Sequence, residues 1–150
     1  MKESPHEKKI HNNLKPGQIT KNGFLGKDKR RYTDIISEDK ALLTELNLTE
    51  KEIAERMQYF TDKAFEHYDG SITIDDKYKV EYNSFRGKII CPFAHPGVYR
   101  KGNITITNLE NKTSISWTPL NIHMIKAHCF FEGKSSENRL DPAKLKKVIF

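Results

Sequence analysis

Residues 48–82, LTEKEIAERMQYFTDKAFEHYDGSITIDDKYKVEY, change hydrophobic period halfway along and so decide the fold class. In the first half, Thr49 and Glu52 stand at capping-box spacing, and Leu48 and Ile53 are placed as the hydrophobic staple that fixes how a chain enters a helix. Ile53, Met57, Phe60, Ala64 and Tyr68 then recur at helical spacing, and Asp69 with Gly70 ends the run. After Gly70 the period is two. Ile72 and Ile74 alternate, Asp75 and Asp76 supply a turn, and Tyr78, Val80 and Tyr82 resume the alternation, which predicts a hairpin.

Working outward, the C-terminal side continues in short strands. Lys88–Cys91 is read as one, stopped by Pro92; Ile104 with Ile106 marks another, and Ile115 with Trp117 the next. Thr118-Pro119 and Asp141-Pro142 are helix starts with proline at the first helical position. On the N-terminal side, Ser37 is placed to cap a short helix carrying Ala41, Leu42, Leu43 and Leu46 inward. The sum is an α+β fold, an antiparallel β-meander of four or five strands packed against N-terminal and C-terminal helices. The chain has 150 residues, and a domain of that size can bury about 68–70% of its unfolded surface, so it needs no disulfide staples.

Charge divides the chain in two. Residues 1–31 carry nine Lys/Arg and three Asp/Glu and account for the whole net charge of +6, while residues 32–150 carry seventeen of each sign. Up to about Gln18 the chain is polar, with Pro5, Pro16 and Gly17 and no apolar period. We therefore expect residues 1–22 to be a basic, disordered leader and residues 23–150 a single globular domain. Lys27, Lys29, Arg30 and Arg31 end this basic stretch. Through such a tail the chain could act as an interaction module, gripping nucleic acid or another acidic partner by counterion release; elsewhere a nucleic-acid partner is not expected. The N-terminus MKESPHEKK lacks the apolar stretch of an export signal, and no window nears the roughly 20 apolar residues that span a bilayer. A soluble, cytoplasmic protein with free thiols at Cys91 and Cys129 is the expectation, with no membrane partner.

Two motif lookalikes fail on spacing. Gly133-Lys134-Ser135 resembles the end of a phosphate loop, but the required upstream glycine is His128. The segment from Leu48 to Met57 resembles the first helix of a helix-turn-helix reader, yet Gln58, Tyr59 and Phe60 continue the same helix where a turn is needed.

What remains is a collection of Cys and His in two places. CPFAH, residues 91–95, ends a strand with a thiol and an imidazole, and WTPLNIHMIKAHCFFEGK, residues 117–134, adds Trp117, His123, His128 and Cys129. Cys91, His95, His123 and His128 are the candidate metal ligands, with zinc or iron as the ions such donors suit. On an ideal helix with Leu120, Met124, Ala127 and Phe131 inward, His123 and His128 lie about 140° apart, so one ion is shared only if the helix tightens or ends before His128. As a small-ligand site, for an anionic ligand, the same region would use Trp117, His123 and His128, with Phe131 as a wall and Arg100 or Lys101 supplying charge. A thiol enzyme would make Cys91 the nucleophile and His95 or His128 its base, with Glu132 placed to orient His128. Against all three stands the ordinary reading, in which histidines bordering an apolar stripe pack and bond locally and cysteines act as small hydrophobes.

With CPFAH, the 117–134 stretch and the Arg-Leu-Asp-Pro run at Arg139–Pro142, residues 23–149 resemble a family of small uncharacterised bacterial proteins described as cytosolic. The resemblance implies a cytosolic location and no particular reaction.

Overall fold

A computed structural model of the chain describes residues 4–67 and 70–150. It is an α+β protein with a four-stranded antiparallel meander in the order β1-β2-β3-β4. The elements run α1 (Pro5–Leu14), α2 (Tyr32–Leu46), α3 (Glu50–Glu66), β1 (Gly70–Ile74), β2 (Tyr78–Ile90), β3 (Val98–Asn108), β4 (Thr113–Trp117), α4 (Pro119–His128) and α5 (Pro142–Ile149).

The caps at Thr49, Thr118 and Asp141 form where the sequence places them. Thr49 Oγ1 accepts the Glu52 N–H at 3.1 Å and α3 runs unbroken from there, without the turn a helix-turn-helix needs. Tyr68 and Asp69, expected to close that helix, lie outside the described residues. Ile53, Ala54, Met57, Phe60 and Ala64 of α3 meet the inward face of the sheet, including Val80, Ile104, Ile106 and Trp117, and α5 closes the cluster with Leu145, Val148 and Ile149. Trp117 and Phe60 are fully buried, and the Trp117 Nε1–H donates to Thr61 Oγ1 at 2.9 Å, so the indole's one polar group is satisfied inside the core.

Four expectations change. The Lys88–Cys91 strand is no separate element: β2 is one long strand whose register against β3 shifts between Ser84 and Lys88, so the extra residues form a bulge where two strands were expected. Helix α2 begins at Tyr32, and Ser37 lies inside it, its hydroxyl donating to the Thr33 carbonyl at 3.0 Å. Ala127 and Ala41 are exposed rather than inward. The N-terminal leader, expected to lack structure, is helical over Pro5–Leu14, with Ser4 Oγ accepting the Glu7 N–H at 3.1 Å. Ile10 and Leu14, one turn apart, are buried on it, and that burial is what an extended polar leader would forgo.

Those two residues enter a second buried cluster with Phe24, Leu25, Tyr32, Ile35, Cys91, Phe93, Leu120, Met124 and Phe130. Helix α4 divides the clusters. Its Ile122 and Ile125 belong to the first, and its Leu120 and Met124 to the second, so it is apolar on more than one side.

Candidate metal centre

The tip of the β2–β3 hairpin and the end of α4 meet in the second cluster. The tip is the 91–97 loop, which β2 and β3 deliver through the pairs Ile89↔Tyr99 and Ile90↔Val98. Within it Ala94 adopts a left-handed conformation at φ 57°, and the backbone N–H groups of Phe93 and His95 donate to the Cys91 sulfur. Such donors favour a thiolate; burial acts against them and prevails, leaving the Cys91 thiol above its usual range.

Helix α4 starts from a reciprocal capping box. Thr118 Oγ1 accepts the Asn121 N–H at 3.2 Å, and Asn121 Oδ1 accepts the Thr118 N–H at 2.9 Å. The helix ends at His128 because Cys129 turns left-handed, φ 55°, and the next residue, Phe130, folds back into the second cluster. The helix includes His128 and so does not end before it, yet the His128 ring comes within 5.1 Å of the His123 ring, centroid to centroid.

The ligand atoms of Cys91, His123 and His128 all lie within 4.8 Å of one another. Cys91 Sγ and His128 Nε2 are 3.5 Å apart. Tetrahedral zinc, with Zn–S about 2.3 Å and Zn–N about 2.0–2.1 Å, separates sulfur from nitrogen by about 3.6 Å. His95 stands on the exposed rim, its ring 4.8 Å from that of His123 and 5.4 Å from that of His128. The four Cys/His residues singled out in the sequence are thus neighbours in space, three inside and one at the mouth.

Two aromatic rings hold the imidazoles. Phe93 stacks on His128 at 4.3 Å and 7°, and is itself gripped edge-on by Tyr32 and Phe130. Tyr99 stacks on His123 at 4.7 Å. Neither Phe93 nor Tyr99 stood out in the sequence, although each lies within four residues of His95. His123 Nε2 is one of two buried side-chain polar atoms without a hydrogen-bond partner among the described residues; the other, His11 Nδ1 on α1, is not in this group. Burial, then the nearby imidazoles, lowers the proton affinity of His128 to a pKa of about 4, and burial followed by His95 lowers that of His123. These imidazoles are neutral at physiological pH, the state in which they bind metals.

The other expected ligand-binding residues lie elsewhere. Trp117 and Phe131 belong to the first cluster, so the walls are Phe93 and Phe130 instead. Strand alternation turns Arg100 away from Tyr99, and its guanidinium lies over the Phe65 ring at 5.2 Å. Lys101 and Arg100 line a cleft with Phe85 outside the histidine group. Glu132 does not orient His128. It is buried, accepting from Asn121 Nδ2 at 2.7 Å and from the Ser136 hydroxyl at 2.7 Å. Cys129 faces Glu50, and burial with that carboxylate pushes its thiol up to about 11.

No helix among the described residues is long and apolar enough to cross a membrane. No family model matches the chain, and no curated protein or solved structure matches it.

Proposed function

We propose that the protein binds a transition metal, with zinc the best fit, through Cys91, His123 and His128, and that His95 swings in from the rim as the fourth ligand. The observation that carries this reading is the convergence of one thiol and two imidazoles within 4.8 Å, with one imidazole nitrogen buried and unpartnered. Buried polar atoms are costly to leave unsatisfied, and an ion would satisfy all three donors together. A thiolate and neutral imidazoles form a borderline-soft donor set, suited to zinc more than to calcium or magnesium. The role most in keeping with a site at the edge of a buried cluster is structural, fastening the hairpin tip to the end of α4.

The 3.5 Å Cys91–His128 contact is also the geometry of a thiol and its base. That reading is the weaker one: Cys91 is raised and His128 lowered to about 4, so proton transfer from thiol to imidazole is uphill, whereas a catalytic pair needs a stabilised thiolate.

The test is elemental analysis of the tag-free protein, followed by cobalt substitution. Near-stoichiometric zinc is expected, together with a thiolate-to-cobalt charge-transfer band that Cys91→Ser abolishes. Metal-free protein that takes up no cobalt, with Cys91 alkylating much faster than Cys129, would overturn the metal reading in favour of the thiol pair.

A further inference from the structure

We infer that the bulged middle of the β2–β3 hairpin is a binding groove for single-stranded nucleic acid. The net neutrality of residues 32–150 conceals a local imbalance. Between Glu81 and Glu110 there is no Asp or Glu, while Arg86, Lys88, Arg100 and Lys101 all lie there and are all exposed. The register shift between Ser84 and Lys88 gathers them: Lys88 pairs with Arg100, and Arg86 lies in the bulge beside them. Some cations elsewhere are paired, as in Lys79–Glu81, Lys134–Glu38 and Arg139–Asp39, whereas among the described residues none of these four takes part in an ion pair.

The shape supplies the second half of the inference. Arg86, Arg100 and Lys101 line a groove of about 480 Å³ together with Tyr82, Phe85 and Gly87. Phe85 is 56% exposed, so its ring is available to an incoming base. Cations that follow a backbone, with an aromatic face between them, are the elements by which proteins hold single strands without regard to sequence. Lys21, from the basic N-terminal stretch, lines the adjoining cleft with Arg100 and Lys101 and extends the positive surface. That cleft also contains Glu137, whose carboxylate accepts from Asn22 at 2.8 Å, so the strand would leave the groove away from that end. A membrane is the other anionic surface to consider, because the Ile90–Val98 pair beside Lys88 and Arg100 is exposed. A lipid surface, however, makes no use of a groove with a ring in its wall.

The experiment is fluorescence anisotropy of the full, metal-loaded chain with a labelled oligothymidine of about 15 nucleotides, titrated across salt. Binding should weaken with salt, and Arg86→Gln and Lys101→Gln should each lower the slope of log K against log salt by about 0.7. Phe85→Ala should weaken binding about tenfold with the slope unchanged, and Phe85→Trp should restore it. These side chains are exposed, and unchanged thermal melts would confirm intact folds; the charge-retaining pair Arg86→Lys and Lys101→Arg should keep the slope. No binding at low salt would overturn the inference. So would equal affinity for a duplex, tighter binding to vesicles containing phosphatidylserine, or a slope set by Lys8 and Lys9 of α1 instead. Cys91→Ser separates this inference from the metal reading, because the groove contains none of the proposed ligands.

Discussion

The two buried clusters are built by different means. Among the described residues the first holds twenty-one buried residues, and the paired strands and amphipathic helices contribute most of them. Among the described residues the second holds eleven, six of them on helices α1, α2 and α4 and the other five, Phe24, Leu25, Cys91, Phe93 and Phe130, in segments that connect elements. A small core buries less apolar surface against the entropy of ordering its connecting segments, and a metal or a disulfide is a common way to fasten one. Cys91 and Cys129 are both free, and Cys91, a member of the smaller cluster, meets the half-buried His123 and His128 at its edge. On the proposed metal reading, regular structure alone stabilises one half, and coordination adds to the helices in stabilising the other.

The largest expected effect lies in the first cluster. Phe60 is fully buried between Tyr78 and Trp117, at ring distances of 4.9 and 6.5 Å. Phe60→Ala should cost about 3–5 kcal/mol and unfold the whole chain earlier in urea, with the midpoint falling and the slope unchanged. Phe93→Ala in the second cluster should cost less in global stability and more in metal affinity, because it removes the ring that holds His128 flat. If both variants lower global stability equally and leave metal content alone, the clusters form one cooperative unit and the contrast fails.

Metal removal should be the converse. At free metal about a thousand times its Kd, binding stabilises the site by about 4 kcal/mol. Chelator, or His128→Ala, should therefore release hydrogen-exchange protection in α1 and residues 91–97 while the slow amides of β2, β3 and α3 keep theirs. Uniform loss of protection, or none, would break the assignment.

The two halves also differ in how legible they are. Regular structure announces itself locally: the period change at Gly70 and the Thr49, Thr118 and Asp141 caps lie within a few residues of what they organise. The Cys and His of the site could be singled out by residue type, but not their convergence. That depends on the β2 bulge, on α4 ending at His128 and on Ala94 and Cys129 turning left-handed, none of which a hydrophobic period encodes. Phe93 and Tyr99 were invisible for the same reason, since a ring becomes a ligand support only once the imidazole arrives. Helix α1 was missed despite a local signal. Ser4, Pro5 and Glu7 form a cap, a first-turn proline and a capping-box acid ahead of Ile10 and Leu14, but two apolar residues in a basic stretch read as composition rather than period.

A third effect falls on the seam between the clusters. Glu132 follows Phe130 of the second cluster and Phe131 of the first, and burial raises its pKa from 4.5 to about 7. A carboxyl whose folded value is raised is best tolerated protonated: its contribution is fully favourable below pH 4.5 and is lost as pH rises to about 7. Glu132→Gln, which can still accept from Asn121 and donate to Ser136, should abolish that loss and leave the variant more stable than wild type at pH 8, by at most about 3 kcal/mol. In the metal-free protein His128 acts in the opposite direction. Its folded value is depressed, so its contribution is present above pH 6.5 and lost as pH falls toward about 4. Urea midpoints from pH 4 to 8 should separate the two, with His128→Ala removing only the acid-side loss. A Glu132→Gln variant that keeps the wild-type slope between pH 4.5 and 7 would show that its carboxyl is ionised in the fold.

The smallest effect tests how α1 is held. An isolated helix of ten residues is shorter than the roughly 12–15 that water tolerates, so Pro5–Leu14 is helical only while Ile10 and Leu14 are docked. A side-chain bond ties it to the 91–97 loop: Asn13 Nδ2 donates to the Pro92 carbonyl at 3.1 Å. Asn13→Ala should weaken docking by about 1 kcal/mol, which is about fivefold faster exchange of the α1 amides, with no change in the first cluster. Restoring metal to a depleted sample should slow those same amides, because the loop that presents the Pro92 carbonyl also presents Cys91. If the α1 amides exchange at unstructured rates even in the metal-loaded wild type, the first twenty-two residues are the leader that their composition suggests. The second cluster then loses Ile10 and Leu14, and the proposed coordination by Cys91, His123 and His128 would have more of the remaining half to hold.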